Sequence, residues 1–436
     1  MNATTNLSAA LFTNITPNDH EISSLSNLAQ GMTGSEILKI AAEVRALAES
    51  GAAVCNLTVG DFSPKEFRIP AKLEELLLAR IHDGATNYPP SDGERSLRDA
   101  VVRFYSERMG LQYPVESIVI AGGSRPIIFS AYAALVNPGD KVIYPTPSWN
   151  NNHYSYLMRA EAIELVVGPE TNFLPTAEMI APHVRDARLI AICTPLNPTG
   201  TVMSRDEVEK ISRLVVEEND RRKKNGARLL YLLWDQVYWM LTFGDVHHYA
   251  PPQVVPEVAP YTIFVDGISK ALAATGLRVG WTAAAPYVTA RMRDIIGHVG
   301  AWAPKAEQLA TAQFLSMPDE VDAYHETMRR ELQTRLDLMF EGLEAMRRDG
   351  LPVRAMAPQG AIYLSAQFDL IGRGEISTNE QIRKLLLDRA GFAVVPFQAF
   401  GLMQENGWFR LSAGAVSPDE IRAGLDRVRK VLSELR

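Results

Sequence analysis

Tyr261-Thr-Ile-Phe-Val-Asp-Gly-Ile-Ser-Lys270-Ala-Leu-Ala-Ala-Thr-Gly-Leu-Arg278-Val-Gly-Trp281 is the stretch on which the reading of this chain turns. It opens on a short apolar, β-branched run that reads as a buried strand. Ser269-Lys270 follows in small-residue surroundings, and Arg278 stands between Gly276 and Gly280. A lysine placed there can sit in a desolvated pocket. Its ammonium form is then disfavoured and the free amine becomes a usable nucleophile. A lone lysine after a strand is more often a solvated loop residue, so the rest of the chain has to decide.

At 436 residues the chain is too long for one ordinary core, and two or three lobes are expected. With 47% of residues hydrophobic and 22% charged, it has the profile of a globular enzyme and not of a disordered chain. A net charge of -7 argues against a nucleic-acid partner, which needs a basic surface. The run Arg221-Arg222-Lys223-Lys224 reads as a solvated helix end favoured by the dipole. The two cysteines, Cys55 and Cys193, each lie in an apolar run and are expected to be buried thiols; they cannot form a metal site alone. No stretch has the length of a membrane span and the first twenty residues show no targeting pattern, so the cytoplasm is the expected location.

Residues up to about Gln30 are polar and aperiodic and are expected to form a mobile arm. Thr33-Gly-Ser-Glu36 reads as a capping box that opens a helix, with Ile37, Ile40, Ala41, Val44 and Ala48 on one face and Gly51 as its stop. Ala53 to Val59 reads as a strand, followed by Gly60-Asp61-Phe62. From about Ala71 helix and strand patterns alternate, with buried strands at Ser117–Ala121, Lys141–Tyr144, Leu189–Cys193, Leu229–Trp234 and Thr262–Val265. That alternation predicts an α/β fold: a large, mostly parallel sheet wound on both faces. From about Gln313 the pattern becomes that of a smaller α+β domain. The expected division is an arm and joining segment over 1–70, a large domain over 71–312 and a small domain over 313–436.

Ligands of such sheets bind beyond the carboxyl ends of the strands, so the residues just after each strand matter most. After the first comes Gly122-Gly123-Ser124-Arg125, a turn that can present backbone N–H groups to a phosphate. After the second comes Pro145-Thr-Pro-Ser-Trp149, and after the third Asn197-Pro198-Thr199-Gly200. The fourth closes on Asp235-Gln-Val-Tyr238, where a carboxylate ending an apolar strand needs a partner. The fifth leads to Lys270. Any one of these is commonly a bare turn; together, in order and each at a strand end, they are not.

Ser269-Lys270, the Gly276/Arg278/Gly280 spacing and the four turns together resemble fold type I pyridoxal 5'-phosphate (PLP) aminotransferases of the aspartate aminotransferase family, over about residues 33 to 425. The resemblance implies a PLP cofactor, with Lys270 as the amine that tethers it and moves the Cα proton, Asp235 paired with the pyridine nitrogen, and Tyr238 and Asn197 on the phenolic oxygen. It also implies a phosphate held by Gly123, Ser124, Arg125, Ser269 and Arg278, and Trp149 stacked on the ring. Arg410, in Trp408-Phe-Arg-Leu-Ser412, would clamp the substrate α-carboxylate, with Gly60, Trp149 and Asn197 beside it. Tyr88 would reach the neighbouring subunit's phosphate, which implies a homodimer with shared sites.

Two features depart from the family pattern. Gly267 stands where a hydroxyl residue is common, and Gly60-Asp-Phe-Ser-Pro replaces the usual substrate-side loop. The expected partners are a small amino acid and a 2-oxo acid. Arg125 occupies a position where some similar aspartate-specific proteins carry a lysine that reaches the distal carboxylate, so the resemblance favours an aspartate/glutamate-type donor with 2-oxoglutarate, with a cap on the phosphate turn as the alternative role. His298 and Trp302 lie in a stretch that enters the partner's site in similar proteins. An aromatic or other amino-acid aminotransferase, or a PLP lyase or decarboxylase, would use the same scaffold.

Overall fold

A computed structural model describes residues 19–34 and 36–435. The chain falls into two units, Met1–Ser35 and Glu36–Arg436. In the first, Asp19–Ser23 and Asn27–Gln30 are short helices within the stretch expected to be a mobile arm, and Ser26 caps the second by accepting from the Ala29 N–H. Residues 1–18 of that arm lie outside the described residues.

The second unit opens with the helix Glu36–Glu49, which starts later than a Thr33 cap implies; Ser35 is outside the described residues. Ile40 and Val44 are its buried positions. Among the described residues thirteen strands form three sheets. β1 (Cys55–Asn56) pairs in parallel with a late strand, Cys55 opposite Phe392. It is much shorter than the strand expected over 53–59. Beyond it the backbone turns to other partners: Leu57 O accepts from the Ser412 N–H, Thr58 O from Arg410 and Gly60 O from Lys270.

The large sheet contains β2 (Ile118–Ala121), β3 (Lys141–Thr146), β4 (Glu161–Val166), β5 (Ala187–Cys193), β6 (Tyr231–Asp235), β7 (Thr262–Gly267) and β8 (Gly280–Ala283). Their order is β2-β8-β7-β6-β5-β3-β4, and only β8 runs antiparallel to its neighbours. Alternate residues of one strand feed separate cores. Ile118, Ile143, Leu232 and Trp234 face one cluster with the helices Arg95–Met109 and Arg205–Lys224; Val119, Val142, Tyr231 and Leu233 face another with Ser124–Leu135 and Pro286–Val299. Continuous apolar strands are what burial on both faces requires.

The second sheet is antiparallel and contains β9 (Val353–Ala355), β10 (Tyr363–Phe368), β12 (Val395–Pro396) and β13 (Trp408–Ser412), in the order β12-β13-β10-β9; β11 (Phe392–Ala393) is the partner of β1. Its core joins Cys55, Leu57, Phe62 and Phe67 to Leu332, Leu336 and Met339 of the helix Pro318–Arg348 and to Ile421 and Val428 of Pro418–Glu434. The basic run at 221–224 is only partly solvated. Arg222 is buried, bonded to Glu218 and to the carbonyls of Val184 and Ala187, so it fastens a helix end to the loop before β5. Both cysteines are free and buried. No helix among the described residues is long and apolar enough to cross a membrane.

Candidate active site

Five strands of the large sheet, β2, β3, β5, β6 and β7, lead into turns that meet in one pocket of about 550 Å³. Gly60, Ser124, Arg125, Trp149, Asn197, Asp235, Tyr238, Ser269, Lys270, Arg278 and Arg410 all line it. Gly123 sits behind them: a Cβ there would run into the Arg278 guanidinium, and glycine also permits its φ of 96°. Tyr88 does not line the pocket of its own chain. Its ring is 81% exposed and meets Trp302 edge-on, with centroids 5.4 Å apart. His298 and Trp302 also lie outside the pocket lining.

Lys270 lies in the single helical turn Ile268–Ala271 that follows β7. Its Nζ donates to the Gly60 carbonyl at 2.6 Å and lies 5.8 Å from the Tyr238 ring centroid. Burial pushes its ammonium down to about 8; Asp61 opposes that shift, while Arg410, Arg125 and Arg278 add to it. The amine is thus within reach of its neutral form near physiological pH.

Asp235 ends β6, and its Oδ1 accepts from the Val237 N–H at 3.2 Å. Burial pushes its carboxyl up to about 6, against that hydrogen bond and Lys270. A carboxylate so placed has acceptor capacity to spare and gains from a cationic N–H donor in the pocket.

Arg410 is only 1% exposed. Its Nη1 donates to Asn197 Oδ1 at 3.2 Å and its Nη2 to Thr58 O at 2.7 Å, while Nε has no partner among the described residues. Its guanidinium lies 4.7 Å from the Tyr363 ring centroid and 4.9 Å from that of Phe400. A buried guanidinium surrounded by neutral acceptors and aromatic rings gains from pairing with a carboxylate. Because Asn197 gives its oxygen to Arg410, its amide N–H₂ is the end left for the pocket.

The helix Ser124–Leu135 begins at the pocket with no side-chain cap, so its first N–H groups are open to an anion. Arg278 stands beside it, held by Thr275 O at 2.6 Å and Gly122 O at 2.9 Å. Arg125 lies with its guanidinium 5.2 Å from the Trp149 ring centroid. Gly267 has a physical reason: a Cβ there would come within 2.7 Å of the Gly280 Cα and the Val279 carbonyl, so the close approach of β7 to β8 excludes any side chain.

Sequence reasoning missed Tyr363, Asp61, Thr275, Ile37 and Leu38, all of which line the pocket. Tyr363 is buried and shares a 2.8 Å hydrogen bond with the Tyr238 hydroxyl. Asp61 accepts from Thr275 Oγ1 at 2.6 Å, tying the segment after β1 to the turn before Arg278.

Residues 52–428 match a family model described as aminotransferase class I and II. The chain is 29% identical to the aspartate/prephenate aminotransferase of Thermus thermophilus, over 94% of this chain and 98% of that protein. Among solved structures it resembles an aspartate aminotransferase from Thermus thermophilus with maleate (TM-score 0.82, 27% identity, 94% of this chain and 99% of that one). It also resembles the aspartate aminotransferase from Rhizobium meliloti (TM-score 0.84, 26% identity, 94% and 98%).

Proposed function

The chain belongs to the class I and II aminotransferase family, and on that premise we propose that it moves an amino group from an L-amino acid of the aspartate or glutamate type to a 2-oxo acid such as 2-oxoglutarate, with PLP tethered at Lys270. The observation that carries this reading is the meeting in one pocket of a lysine with a depressed amine, a half-buried carboxylate and a buried guanidinium that lacks a carboxylate partner among the described residues.

The residues fit the cofactor. Asp235 has acceptor capacity for a protonated ring nitrogen, Arg410 has an orphaned Nε, and Ser124 and Arg125 present uncapped N–H groups beside the Arg278 cation. When bound, PLP supplies an electron sink for the charge left on Cα once its proton is removed. The Lys270 amine would hold the cofactor and then carry that proton. Asp235 would keep the ring nitrogen protonated, and Trp149 would cover one face of the ring. Arg410 would fix the α-carboxylate and so aim the Cα–H bond.

The Thermus thermophilus neighbour holds maleate, a dicarboxylate, which supports an acidic substrate. Arg125, at the pocket wall, is the cation for the distal carboxylate in this reading. The exposed Tyr88 supports a homodimer whose partner site it would complete. We assign 1–70 to an arm and joining segment, 71–312 to the cofactor-holding lobe and 313–436 to a small lobe; the core shared by Cys55, Leu57, Phe62 and Phe67 with residues after 328 supports this division. The cytoplasm is the proposed compartment.

An absorbance spectrum of the purified protein tests the reading. A visible band that is lost on adding aspartate and restored by 2-oxoglutarate is expected, and Lys270→Ala should show neither change. Borohydride reduction followed by peptide mapping should place a pyridoxyl label on Lys270; a label elsewhere, or none, removes the assignment.

A further inference from the structure

The turn after β6 has two sides. Asp235 and Tyr238 line the pocket, whereas the side chains of Gln236 and Trp239 enter a buried polar network behind it. Most hydrogen bonds of that network run toward one residue; Gln236 Nε2 also lies 3.8 Å from Met109 Sδ. His248 Nε2 lies 3.2 Å from Gln236 Oε1 and donates to it, since an amide oxygen only accepts. Gln236 Nε2 reaches the Tyr105 hydroxyl at 3.4 Å, and Trp281 Nε1, from the antiparallel strand β8, reaches the same hydroxyl at 3.1 Å. Holding two donors on its oxygen, Tyr105 gives its own proton to Asp266 Oδ2 at 2.9 Å. Trp239 Nε1 donates to that same oxygen at 2.9 Å, and the Gly267 N–H donates to Asp266 Oδ1 at 2.7 Å.

Asp266 lies in β7, four residues before Lys270, and is only 1% exposed. Burial pushes its carboxyl up to about 7, and the influences that oppose this are hydrogen bonds from Gly267, Tyr105, Trp239 and Gln236, none of them a cation. Trp239 Nε1 and Gly267 N cannot accept, and the Tyr105 oxygen is already occupied. The network is therefore built around an ionised carboxylate. A buried, cation-free anion is costly to keep in a core, and a neutral side chain would spare the fold that cost. Its geometry shows what it does: its partners come from the turn that carries Asp235 and Tyr238, and it leads directly into the turn that carries Lys270.

We propose that Asp266 is a positioning residue: by accepting from Trp239 and Tyr105 at one oxygen and from Gly267 at the other, it locks the Asp235–Tyr238 turn to the turn that carries Lys270. The role rests on the aminotransferase reading for its chemistry, but on the network alone for its geometry. Arg410 stands on β13 and takes no part in the network, so substrate grip and alignment of the reacting groups are separable.

The test is steady-state and spectroscopic analysis of holoenzyme variants. Asp266→Asn leaves one acceptor oxygen, so an N–H₂ group must face either the Trp239 and Tyr105 donors or the Gly267 N–H, and Trp239→Phe removes one donor while leaving the carboxylate in place. Both should lower kcat on the order of 10- to 100-fold, as misalignment near 1 Å does, with KM for the amino donor within about twofold. Both should also move the pH midpoint of the holoenzyme's visible band, which a loss of stability alone would not. Because the two changes break the same tie, the double variant should lose no more than Asp266→Asn does alone. If Asp266→Asn does not fold, Trp239→Phe carries the test with the same readouts. A kcat within twofold of the wild type in a folded variant, losses that multiply in the double variant, or a rise in KM matching the fall in kcat would overturn the proposal. A wild-type protein with no visible band would instead defeat the aminotransferase reading and is recognised before any variant is made.

Discussion

Lys270 Nζ donates to the Gly60 carbonyl at 2.6 Å, so the pocket's amine is parked on a neutral acceptor and not on a carboxylate. The contact joins the turn after β7 to the segment after β1, which are 210 residues apart in sequence. A carbonyl partner leaves the amine's affinity for protons to be set mainly by burial, which lowers it, with Asp61 pulling the other way and three arginines adding to the fall.

That depression has a thermodynamic consequence for the apoprotein. The unfolded chain holds its Lys270 proton up to about pH 10.5, whereas the folded chain gives it up at about 8. Between those values the unfolded state binds more protons, so stability rises with pH; below them the folded state bears the full penalty. Lys270→Met removes this dependence. At pH 7 it should gain about 3 kcal/mol from the relieved burial, less about 1 kcal/mol for the lost Gly60 hydrogen bond. Urea unfolding of both apoproteins at pH 7 and pH 10.5 should show the advantage vanishing at the higher pH. A constant difference would mean that the amine is not depressed.

Arg410 offers a second test of how the pocket reads its substrate. Its planar fork is pinned by Asn197 and Thr58 and packed against the Tyr363 and Phe400 rings, a geometry that an ammonium cannot reproduce. Arg410→Lys should keep the charge yet lose bidentate contact, raising KM for the amino donor by about 10- to 100-fold. Binding of a substrate-like dicarboxylate, followed through the visible band, should weaken in parallel. An unaltered KM would place the α-carboxylate elsewhere.

The features that could be read from sequence share one cause. Parallel strands buried on both faces are continuous apolar runs, and the turns at their carboxyl ends are short, so Gly123, Asn197, Asp235 and Lys270 stand out at run boundaries. β4 escaped because, as an edge strand, Glu161–Val166 exposes most of its side chains and carries no apolar run. β8 escaped because Gly280–Ala283 is short and rich in small residues, and glycine there is demanded by the Gly123 backbone pressed against it. Tyr363 begins a buried strand and looks like any core aromatic. Only the tertiary fold brings its hydroxyl to Tyr238 and its ring to Arg410. Asp266 was hidden for a similar reason: the side-chain donors that make a carboxylate tolerable inside β7, Tyr105 and Trp239, come from two distant segments, and Trp281 and Gln236 act on it through Tyr105.

Gly267 is where local packing overrides the family pattern. Any Cβ there meets the backbone of Val279 and Gly280, which cannot swing aside as a side chain would. Gly267→Ser, which restores the common hydroxyl, should therefore destabilise the protein by about 1–3 kcal/mol and lower its Tm without tightening PLP binding. Tighter cofactor binding at unchanged Tm would show that β8 yields.

Tyr363 should matter through two separable contacts. Tyr363→Phe deletes only the hydroxyl that meets Tyr238, and should lower kcat about three- to tenfold, the worth of one buried hydrogen bond. KM should stay near the wild-type value because the ring still lies against Arg410. Tyr363→Leu removes both contacts and should raise KM as well. In a Tyr238→Phe background the Tyr363→Phe loss should disappear; a full loss there would mean that the hydroxyl acts on something other than Tyr238.

In the proposed reading, substrate choice turns on Arg125. Its guanidinium lies over the Trp149 ring at the pocket wall, near enough to Lys270 to lower its proton affinity. A stacked guanidinium keeps its in-plane N–H donors free, so it can meet a distal carboxylate while the indole holds it in place. Aspartate and glutamate would gain a charge-assisted pair there, whereas alanine and phenylalanine have nothing to offer it. Arg125→Ala should therefore raise KM for aspartate by about 10- to 100-fold and leave KM for alanine and phenylalanine within about twofold. Loss of the Arg125 charge should also let the Lys270 amine rise, moving the alkaline midpoint of apoprotein recombination with PLP upward, a readout in which no amino donor takes part. The two effects separate cleanly: the first depends on the substrate and the second does not. Equal increases in KM for all three amino acids would leave Arg125 as a part of the cofactor site and remove the basis for an acidic substrate.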